Sequence, residues 1–331
     1  ERVVVKGEYT LDSSIELVDY VILDLRGAKI KLADNVDKPV ITASGKSNFT
    51  ILGGRLDGNR DHQADDSSPG VYLRDCSHFL IQDMYIENVR GSGITCANSV
   101  YGRIQNVTAK TCYGGPQFAG AGIGFSDGCE HIAVDGCFIQ GTGGPGINTS
   151  GINAATRFIT IKNCHVEGGG YDGIMIYFNS SFVSVIGCEV TKVNFGWGIE
   201  IENSYNCALI GNLIHDFNVG HGIKVGFESG FNNSVIGNII RNVGRHGIAI
   251  NAYRTTVIGN VIERASAAAD GQYDGICLGG SDDGGGEGGG NLSHNIVVGN
   301  IIHVPSGYNR VRHGIREYGE YDYNIIKNNV I

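Results

Sequence analysis

Side chains that can carry acid–base chemistry concentrate in one stretch of this sequence, between residues 172 and 251. They are a tyrosine, two glutamates, two histidines, a lysine and an asparagine: Tyr177, Glu200, Glu202, His221, Lys224, His246 and Asn251. Carboxylates, histidine, lysine and tyrosine are the groups that enzymes use as general acids and bases. Grouped carboxylates can also bind a divalent cation through their oxygen atoms. The stretch therefore predicts a site for proton transfer.

These residues recur at fixed positions of a sequence repeat. Its pattern is a glycine followed by isoleucine or valine, and the glycines are Gly70, Gly93, Gly122, Gly146, Gly173, Gly198, Gly222, Gly247, Gly275 and Gly314. Short runs rich in Ile and Val, separated by Gly and Asn turns, are typical of β-strands. A repeat of about 25 residues that contains two or three short strands indicates a β-solenoid.

Strand geometry then assigns the side chains to faces. The isoleucine after each glycine is expected to point inward, so the residues two and four positions after the glycine point outward. Glu200 and Lys224 become neighbours about 4.8 Å apart on successive coils, and Glu200 and Glu202 lie about 6.6 Å apart along one strand. The residue before the glycine lies at a turn; this position holds Asp172, Trp197, His221, His246, Asp274 and His313.

A second column of residues is expected to point inward at a turn. It contains Cys137, Cys164 and Cys188 in the earlier coils and Asn212, Asn238, Asn260 and Asn300 in the later ones. A buried asparagine in such a column can hydrogen-bond to the asparagine one coil away. A cysteine can fill the same position as a small apolar residue. The nine cysteines contain no Cys-x-x-Cys pair, and we interpret them as buried free thiols.

Composition limits the function classes. The 331 residues have a net charge of −9 and no cluster of Lys and Arg, which argues against nucleic acid as a partner. No apolar run is long enough to span a membrane. A 41% apolar content suffices for a folded core, and we expect one domain over residues 1–331. Within it, residues 1–60 are expected to form irregular opening coils, and residues 61–331 regular ones.

Three insertions interrupt the repeat, at residues 61–69, 111–121 and 279–291. The last contains Asp282, Asp283 and Glu287, which can supply oxygen ligands to calcium. Their spacing matches no standard calcium motif, so a solvated loop is favoured. The last coil ends without an obvious cap, which predicts that a further domain or a second subunit covers the end.

The repeats resemble those of the right-handed parallel β-helix of the pectin-lyase-like superfamily, over nearly the whole chain. The resemblance rests on the segments HGIKV, HGIAI and NSVIGNIIRNVG. The segments LDGNRD and HGIREYGEYDYNIIKNNVI are more similar to alginate-type C5-epimerases, although the epimerase catalytic segment Tyr-Gly-Phe-Asp-Pro-His is absent. The resemblance implies an all-β, right-handed parallel β-helix of about a dozen coils. It also implies a secreted or extracellular protein that acts on carbohydrate.

Three function classes remain open. The favoured one is a polysaccharide lyase that cleaves an acidic, uronate-containing polymer by β-elimination. In it Tyr177, Lys224 and His221 supply acid and base if their pKa values are lowered, and a divalent cation such as Ca²⁺ neutralises the substrate. The expected cation ligands are Glu200, Glu202 and Asp172. No organic cofactor is expected.

The second class is a glycoside hydrolase, because Glu200 and Glu202 are within reach of the carboxylate separation of inverting enzymes, about 6.5–9.5 Å. A C5-epimerase is a further alternative. The third class is a non-catalytic carbohydrate-binding fibre that oligomerises. Expected substrate-binding residues are Asp172, Trp197, His246, Asn251, Asp274 and Arg316.

Structural roles compete with these functional ones. Glu200 and Lys224 can form a simple surface salt bridge, which contributes under about 1 kcal/mol. His221 and His246 can cap a turn. Trp197 can bind a sugar ring or fill a turn. Arg316 can bind a carboxylate or pair with Glu317 or Glu320, and the pairing is slightly favoured.

Overall fold

The strands described below come from a computed structural model of the chain. It describes residues 1–114, 120–226, 230–279, 292–318 and 323–331. In these ranges the secondary structure is β-strand, apart from one 3₁₀ turn at Arg60–His62. None of the described helical segments is long and apolar enough to cross a membrane. The chain divides into two compact units, Glu1–Gly170 and Tyr171–Ile331.

The first unit contains three parallel sheets. The first sheet consists of Arg2–Val4, Ile22–Asp24, Ser47–Leu52, Ser77–Gln82, Val100–Gln105, Glu130–Asp135 and Thr156–Lys162. The second consists of Gly7–Leu11, Ala28–Leu32, Arg55–Asp57, Tyr85–Val89, Thr108–Cys112, Phe138–Thr142 and His165–Gly169. The third consists of Ile15–Glu16, Ile41–Ser44, Val71–Arg74, Ile94–Ala97, Ile123–Ser126 and Ile147–Ser150. Residues 1–60 therefore contribute strands to all three sheets.

The second unit repeats this arrangement. Its first sheet consists of Ser184–Ile186, Ala208–Ile210, Ser234–Ile236, Thr256–Ile258, Ile296–Val298 and Ile325–Lys327. Its second consists of Glu189–Thr191, Leu213–Phe217, Ile239–Val243, Val261–Glu263 and Ile301–His303. Its third consists of Ile174–Tyr177, Ile199–Glu202, Ile223–Val225, Ile248–Ile250, Ile276–Leu278 and Ile315–Glu317. A two-residue strand, Ser180–Ser181, comes in the sequence just before Ser184–Ile186, the first strand of this unit's first sheet.

Each coil of a unit contributes one strand to each sheet and stacks in register on the next coil. In the third sheet of the second unit, Ile199 pairs with Ile223 and Ile223 with Ile248, and all three are fully buried. The strands are parallel, and a narrow core of Ile, Val, Leu and Cys runs inside them. The predicted all-β, parallel β-helical fold is confirmed.

The glycine that defines the repeat is explained by the close stacking of successive coils. A Cβ atom on Gly198 would lie 2.5 Å from the carbonyl oxygen of Gly222 and 2.3 Å from the side chain of Ile214. Any larger residue would therefore force the backbones of neighbouring coils apart. The repeat needs glycine here for space, not for an unusual φ angle.

The predicted asparagine column is a continuous hydrogen-bonded ladder in the second unit. The backbone N–H and the Nδ2 of Asn212 both donate to Oδ1 of Asn238, each at 2.9 Å. Asn238 donates in the same way to Asn260, and Asn260 to Asn300. All four asparagines are fully buried, which confirms the prediction. The ladder also extends to Asn329, which the sequence reasoning did not include.

The cysteine positions agree with the sequence interpretation. All nine are buried, and none is joined in a disulfide. The backbone N–H of Cys188 donates to Oδ1 of Asn212 at 2.9 Å, so Cys188 is the first member of the ladder in the second unit. Of the three predicted insertions, residues 61–69 contain no strand; their first two residues belong to the 3₁₀ turn Arg60–His62. Most of the glycine-rich insertion, including Asp282, Asp283 and Glu287, lies outside the described residues.

Candidate functional site

The candidate site lies on the outer face of the third sheet in the second unit. Two outward columns meet there. Tyr177 pairs with Glu202, and Glu200 pairs with Lys224 on the next coil. Beyond Lys224 the column continues through Ala249, Cys277 and Arg316. The neighbours that the repeat predicted are therefore the neighbours in the structure.

The burial of Glu200 and Lys224 corrects the sequence prediction. Both were expected to point into solvent, yet Glu200 is fully buried and only 9% of the surface of Lys224 is exposed. The Lys224 ammonium lies 3.2 Å from Oε1 of Glu200 and 3.8 Å from the centre of the Trp197 ring. The interpretation as a simple surface salt bridge is therefore wrong, because the pair is enclosed by its neighbours. Trp197 contacts the ammonium through its ring face, a favourable cation–π arrangement.

Asp172 completes this buried group. Its Oδ1 accepts the backbone N–H of Trp197 at 2.7 Å, and only 2% of its surface is exposed. A Cβ atom on residue 196 would lie 2.2 Å from that oxygen, so Gly196 leaves the space that the carboxyl group occupies. Asp172 and Glu200 interact electrostatically with each other and with Lys224. We refer to Asp172, Glu200 and Lys224 as the buried triad.

Both carboxyl groups of the buried triad have raised pKa values. Burial, followed by the charge of Asp172, raises the pKa of Glu200 to about 8, against the opposing effect of Lys224. Burial raises the pKa of Asp172 to about 6, although the hydrogen bond from Trp197 opposes the shift. Near neutral pH the pair therefore holds one proton, mainly on Glu200. With that proton and the lysine ammonium, the triad has no net charge, which is the arrangement that burial favours.

Tyr177 and Glu202 are the half-exposed members of this face. Burial and the charges of Glu202 and Glu200 raise the pKa of Tyr177. The lyase hypothesis required a lowered pKa for this tyrosine, and the structure gives the opposite direction. The ring of Tyr177 also packs edge-on against Phe178, with 4.4 Å between the ring centres. The structure therefore does not support Tyr177 as a base.

The turn residues before the repeat glycines form a ladder of side-chain-to-backbone hydrogen bonds. The backbone N–H of His246 donates to Nδ1 of His221 at 3.1 Å, and the N–H of Asp274 donates to Nδ1 of His246 at 2.7 Å. Since each Nδ1 accepts a hydrogen bond, neither ring carries its proton at Nδ1 in this arrangement. Both histidines are buried and stack with ring centres 5.0 Å apart. Capping of the turn, the structural alternative, is confirmed for both.

The ladder continues to Asp274, whose carboxylate is held by an arginine. Arg312 donates to both oxygens of Asp274, at 3.1 and 2.7 Å, and the backbone N–H of His313 donates to Oδ1 at 3.1 Å. Burial would raise the pKa of Asp274, but Arg312 and His313 outweigh it and lower that pKa. Asp274 is therefore an anion with its donors already in place. Sequence reasoning overlooked Arg312, because the residue lies outside the repeated positions.

The ligand atoms of the predicted cation trio, Asp172, Glu200 and Glu202, do not all lie within 4.8 Å of one another. Among the described residues, the only three potential ligands with ligand atoms all within 4.8 Å of one another are His246, Asp274 and Cys277. In that group, the carboxylate of Asp274 is already paired with the guanidinium of Arg312. In the predicted trio of Asp172, Glu200 and Glu202, the Lys224 ammonium is the cation beside Glu200.

The remaining predicted binding residues lie on the same face but apart from the buried triad. The Arg316 guanidinium stacks over the ring of Tyr318 at 4.4 Å. The proposed partner Glu317 accepts a hydrogen bond from Asn324, and Glu320 lies outside the described residues. Asn251 follows a strand and donates its backbone N–H to Val225 at 2.7 Å.

Exposed aromatic residues near the turns were missed by the sequence reasoning. Tyr171 directly precedes Asp172 and is 59% exposed, and Phe195 lies two residues before Trp197 and is 80% exposed. Exposed aromatic rings of this kind can stack on sugar rings. The signal was present in the sequence as aromatic residues one or two positions before the turn column.

Comparison with known proteins identifies the fold and the family. Among solved structures, the chain is similar to the Azotobacter vinelandii mannuronan C-5 epimerase AlgE4 A-module, with 19% identity and a TM-score of 0.63; the match covers 98% of this chain and 84% of the other. It is also similar to the catalytic domain of a GH87 α-1,3-glucanase in complex with nigerose, with 15% identity, a TM-score of 0.69 and coverages of 98% and 63%.

A third similar structure is tailspike protein 3 of bacteriophage CBA120, with 13% identity, a TM-score of 0.61 and coverages of 99% and 56%. No curated protein sequence matches the chain. The family model described as the right-handed beta helix region matches residues 33–158 and 150–331. The chain belongs to the right-handed beta helix family.

Proposed function

We propose that the chain binds a polysaccharide along the outer face of the third sheet in its second unit and hydrolyses a glycosidic bond there. The observation that carries this proposal is the pair of buried carboxyl groups, Asp172 and Glu200. Their raised pKa values leave one proton on the pair near neutral pH. A carboxyl group that keeps its proton near an accessible carboxylate, here the half-exposed Glu202, is the acid–base arrangement of glycosidases.

In this proposal Glu200 is the general acid and Glu202 the general base. The two residues lie two positions apart on one strand, so their backbones are about 6.6 Å apart, and their side chains can reach the carboxyl separation of about 6.5–9.5 Å of inverting enzymes. Glu202 removes a proton from a water molecule while the oxygen of that water attacks the anomeric carbon. The glycosidic bond breaks, and the leaving oxygen takes the proton from Glu200. The negative charge of Asp172 disfavours ionisation of Glu200 and so helps to keep Glu200 protonated.

Lys224 controls access to the acid. Its ammonium covers Glu200 at 3.2 Å, so proton donation requires the ammonium to move when substrate binds. Substrate hydroxyl or carboxylate oxygens can attract it, and catalytic hydrogen bonds often tighten only in the substrate complex. The half-exposed Trp197 and the exposed Tyr171 and Phe195 provide aromatic faces for sugar rings.

The structural similarities are consistent with a carbohydrate substrate. Two of the similar proteins are named for action on polysaccharides, a mannuronan epimerase and an α-1,3-glucanase. An extracellular location and an acidic polysaccharide substrate remain part of the proposal, and both are inferred from this fold relationship.

A second candidate is β-elimination or epimerisation of a uronate polymer. Lys224 favours it, because an ammonium beside Glu200 can neutralise the carboxylate of a uronate. A divalent cation can serve the same purpose. The raised pKa of Tyr177 opposes it, since a tyrosine base has to lose its proton. Hydrolysis therefore ranks first.

The test is incubation with neutral and uronate polysaccharides, with and without a chelator. Hydrolysis predicts new reducing ends without the ultraviolet absorbance of an unsaturated product. Proton NMR of the first product should show an inverted anomeric configuration. An unsaturated product, or solvent deuterium incorporated at C5 without cleavage, supports the second candidate instead. Retention of the anomeric configuration excludes the assigned roles of Glu200 and Glu202.

A further inference from the structure

A surface cavity of about 480 Å³ lies in the first unit, outside the candidate site. It is lined by Tyr72 and Thr95, which pair in register on the outer face of the third sheet. Residues 65–69 form a second part of the lining and belong to the insertion that interrupts the repeat. Asp37 and Pro39, which precede the neighbouring strand of that sheet, complete it. The volume is in the range of pockets that hold small ligands, about 300–1,000 Å³.

The apolar part of the lining consists of one aromatic ring and two prolines. Tyr72 follows the fully buried Val71, so it points outward, and it is half-buried. Pro39 is half-buried and Pro69 is buried. A tyrosine ring that is packed on one side and accessible on the other can stack on the C–H face of a sugar ring. The cavity therefore contains an aromatic platform.

Three carboxylates of the lining are held in place through one of their two oxygens. Oδ1 of Asp37 accepts the backbone N–H of Asp65 at 3.0 Å. Oδ1 of Asp65 accepts the backbone N–H and the hydroxyl of Ser67, at 2.9 and 2.8 Å. Oδ1 of Asp66 accepts Nε of Arg90 at 2.7 Å. None of these bonds from described residues uses an Oδ2 atom, so each carboxylate keeps a fixed acceptor for a ligand.

A buried hydroxyl group in the lining has no partner among the described residues. Ser68 is only 4% exposed, and its Oγ forms no hydrogen bond with them. Its backbone N–H does donate, to the carbonyl oxygen of Arg90 at 2.9 Å. Gly91 lies against Ser68, where a Cβ atom would come within 3.0 Å of the Ser68 carbonyl carbon, so no side chain fills this part of the wall. Because buried hydroxyl groups are nearly always hydrogen-bonded, Ser68 marks a position that a ligand can complete.

The charge of the lining selects the class of ligand. Of the three carboxylates, only Asp66 is paired with a cation among the described residues, Arg90 at 2.6 Å. The lining is therefore negative, and it repels a uronate or another anion. Carboxylate oxygens accept hydrogen bonds, and the hydroxyl groups of a neutral sugar donate them. A metal ion fits less well, because no three potential ligand atoms of the described cavity residues lie within 4.8 Å of one another.

We propose that this cavity is a second carbohydrate-binding site, which holds a neutral sugar unit. Tyr72 stacks on the sugar ring, Oδ2 of Asp37 and of Asp65 accept hydrogen bonds from its hydroxyl groups, and Ser68 Oγ gains a partner. None of the cavity's carboxylates is buried, whereas both Asp172 and Glu200 are, so the cavity binds sugar without cleaving it. The proposal is independent of the proposed hydrolase activity, because no cavity residue belongs to the candidate site.

Isothermal titration calorimetry with disaccharides tests the proposal. The neutral probes are cellobiose, maltose and mannobiose, and digalacturonic acid is the charged comparison. The full chain carries Glu202→Gln throughout, so that cleavage does not consume the probes. We expect at least one neutral probe to bind with a dissociation constant in the millimolar range or below.

Variants then assign that binding to the cavity. Tyr72→Ala should weaken it at least about tenfold, and Tyr72→Phe should retain it, because stacking needs the ring and not the hydroxyl group. Ser68→Ala should weaken it several-fold without lowering the melting temperature, since this hydroxyl group has no described partner to lose. The matched control is Tyr85→Ala, which removes a half-buried tyrosine from the second sheet of the same unit and should leave binding unchanged. If Tyr72→Ala fails to fold, Asp65→Asn replaces it, because Asp65 is exposed and loses only its charge.

Three results would overturn the proposal. The first is that no neutral probe binds, or that Tyr72→Ala and Ser68→Ala bind it as tightly as the parent protein. The second is that Tyr72→Ala weakens the binding of digalacturonic acid as much as that of the neutral probe, because the cavity would then not select by charge. The third is that Asp65→Asn abolishes polysaccharide cleavage while Glu202→Gln retains it, because the cavity would then be the catalytic site. Absence of cleavage by the wild-type protein contradicts the proposed hydrolase only, since the titration measures binding alone.

Discussion

Lys224 places its ammonium 3.2 Å from Oε1 of Glu200, and both side chains are buried on what the repeat identifies as an outer face. The pair is therefore neither a solvated ion pair nor part of the apolar core. Because Glu200 keeps its proton near neutral pH, the buried charge that Lys224 compensates is mainly that of Asp172.

Removing the lysine should destabilise the fold. Lys224→Met leaves two carboxyl groups buried without their cation, so we expect the free energy of unfolding to fall by about 3 kcal/mol. Combining it with Asp172→Asn should restore more than half of the loss, because the charge left uncompensated near neutral pH lies on Asp172 and is removed as well. Urea denaturation measures both variants.

The matched control for this experiment is Lys162→Met in the first unit. Lys162 also pairs with a carboxylate, at 3.1 Å from Asp135, but its side chain is 43% exposed. Its loss should cost less than about 1 kcal/mol. Equal losses for the two lysine variants would contradict the importance that we assign to burial.

The stability of the fold should depend on pH through Glu200 and Asp172. Burial raises both pKa values, so between its ordinary and raised value each group binds more protons in the folded state than in the unfolded state. The free energy of unfolding therefore decreases as the pH rises, through about 4–6 for Asp172 and 4.5–8 for Glu200. The slope for one proton is at most about 1.4 kcal/mol per pH unit.

Denaturant titrations at pH 5, 6, 7 and 8 measure this dependence. Glu200→Gln should flatten the profile between about pH 6 and 8, because glutamine does not titrate. Parallel profiles for the wild type and Glu200→Gln would show that Glu200 does not hold the proton in question.

The assigned base can be tested separately from the fold. Glu202→Gln should lower the hydrolysis rate at least about 100-fold, the usual contribution of a positioned general base. Its melting temperature should stay close to that of the wild type, since Glu202 is half-exposed. Glu263→Gln, a half-exposed glutamate on the second sheet of the same unit, is the control and should keep full activity.

Tyr177→Phe distinguishes hydrolysis from proton abstraction by tyrosine. The hydrolase proposal expects most activity to remain, because no step uses the phenol group. Loss of activity in Tyr177→Phe, together with retained activity in Glu202→Gln, would favour β-elimination. Rates on the best polysaccharide of the panel provide the measurement.

The asparagine ladder should contribute to stability. Asn238→Leu removes the acceptor for two hydrogen bonds from Asn212 and the donor for two others, so we expect a loss of about 1–3 kcal/mol. Asn218→Leu changes an exposed asparagine of the same unit and should have little effect. Equal melting temperatures for the wild type and Asn238→Leu would contradict this account.

The repeat spacing was sufficient to predict which residues are neighbours. The pairing of Glu200 with Lys224, the inward cysteines and the Asn212–Asn238 contact all follow from the glycine period. Strand alternation also assigned the inward isoleucines Ile199, Ile223 and Ile248 correctly. These features depend only on local geometry that every coil repeats.

What covers an outward face could not be predicted in this way. Alternation places Glu200 outside the sheet, but its burial depends on Trp197 and Lys224 and on the position of Asp172 beside Gly196. The raised pKa values follow from that burial. Arg312 was missed for a related reason, since it lies one residue before the turn column and reaches Asp274 on another coil.

The asparagine ladder has a consequence for how such a chain can change in length during evolution. Each inner asparagine gives the preceding coil an acceptor and takes one from the following coil, so the two sides of a coil match. Insertion or deletion of an entire coil therefore leaves every rung satisfied. Loss of a single residue breaks the ladder and moves the following side chains to the wrong face. Length is thus expected to vary in whole coils, and a surface groove to lengthen in steps of about 4.8 Å.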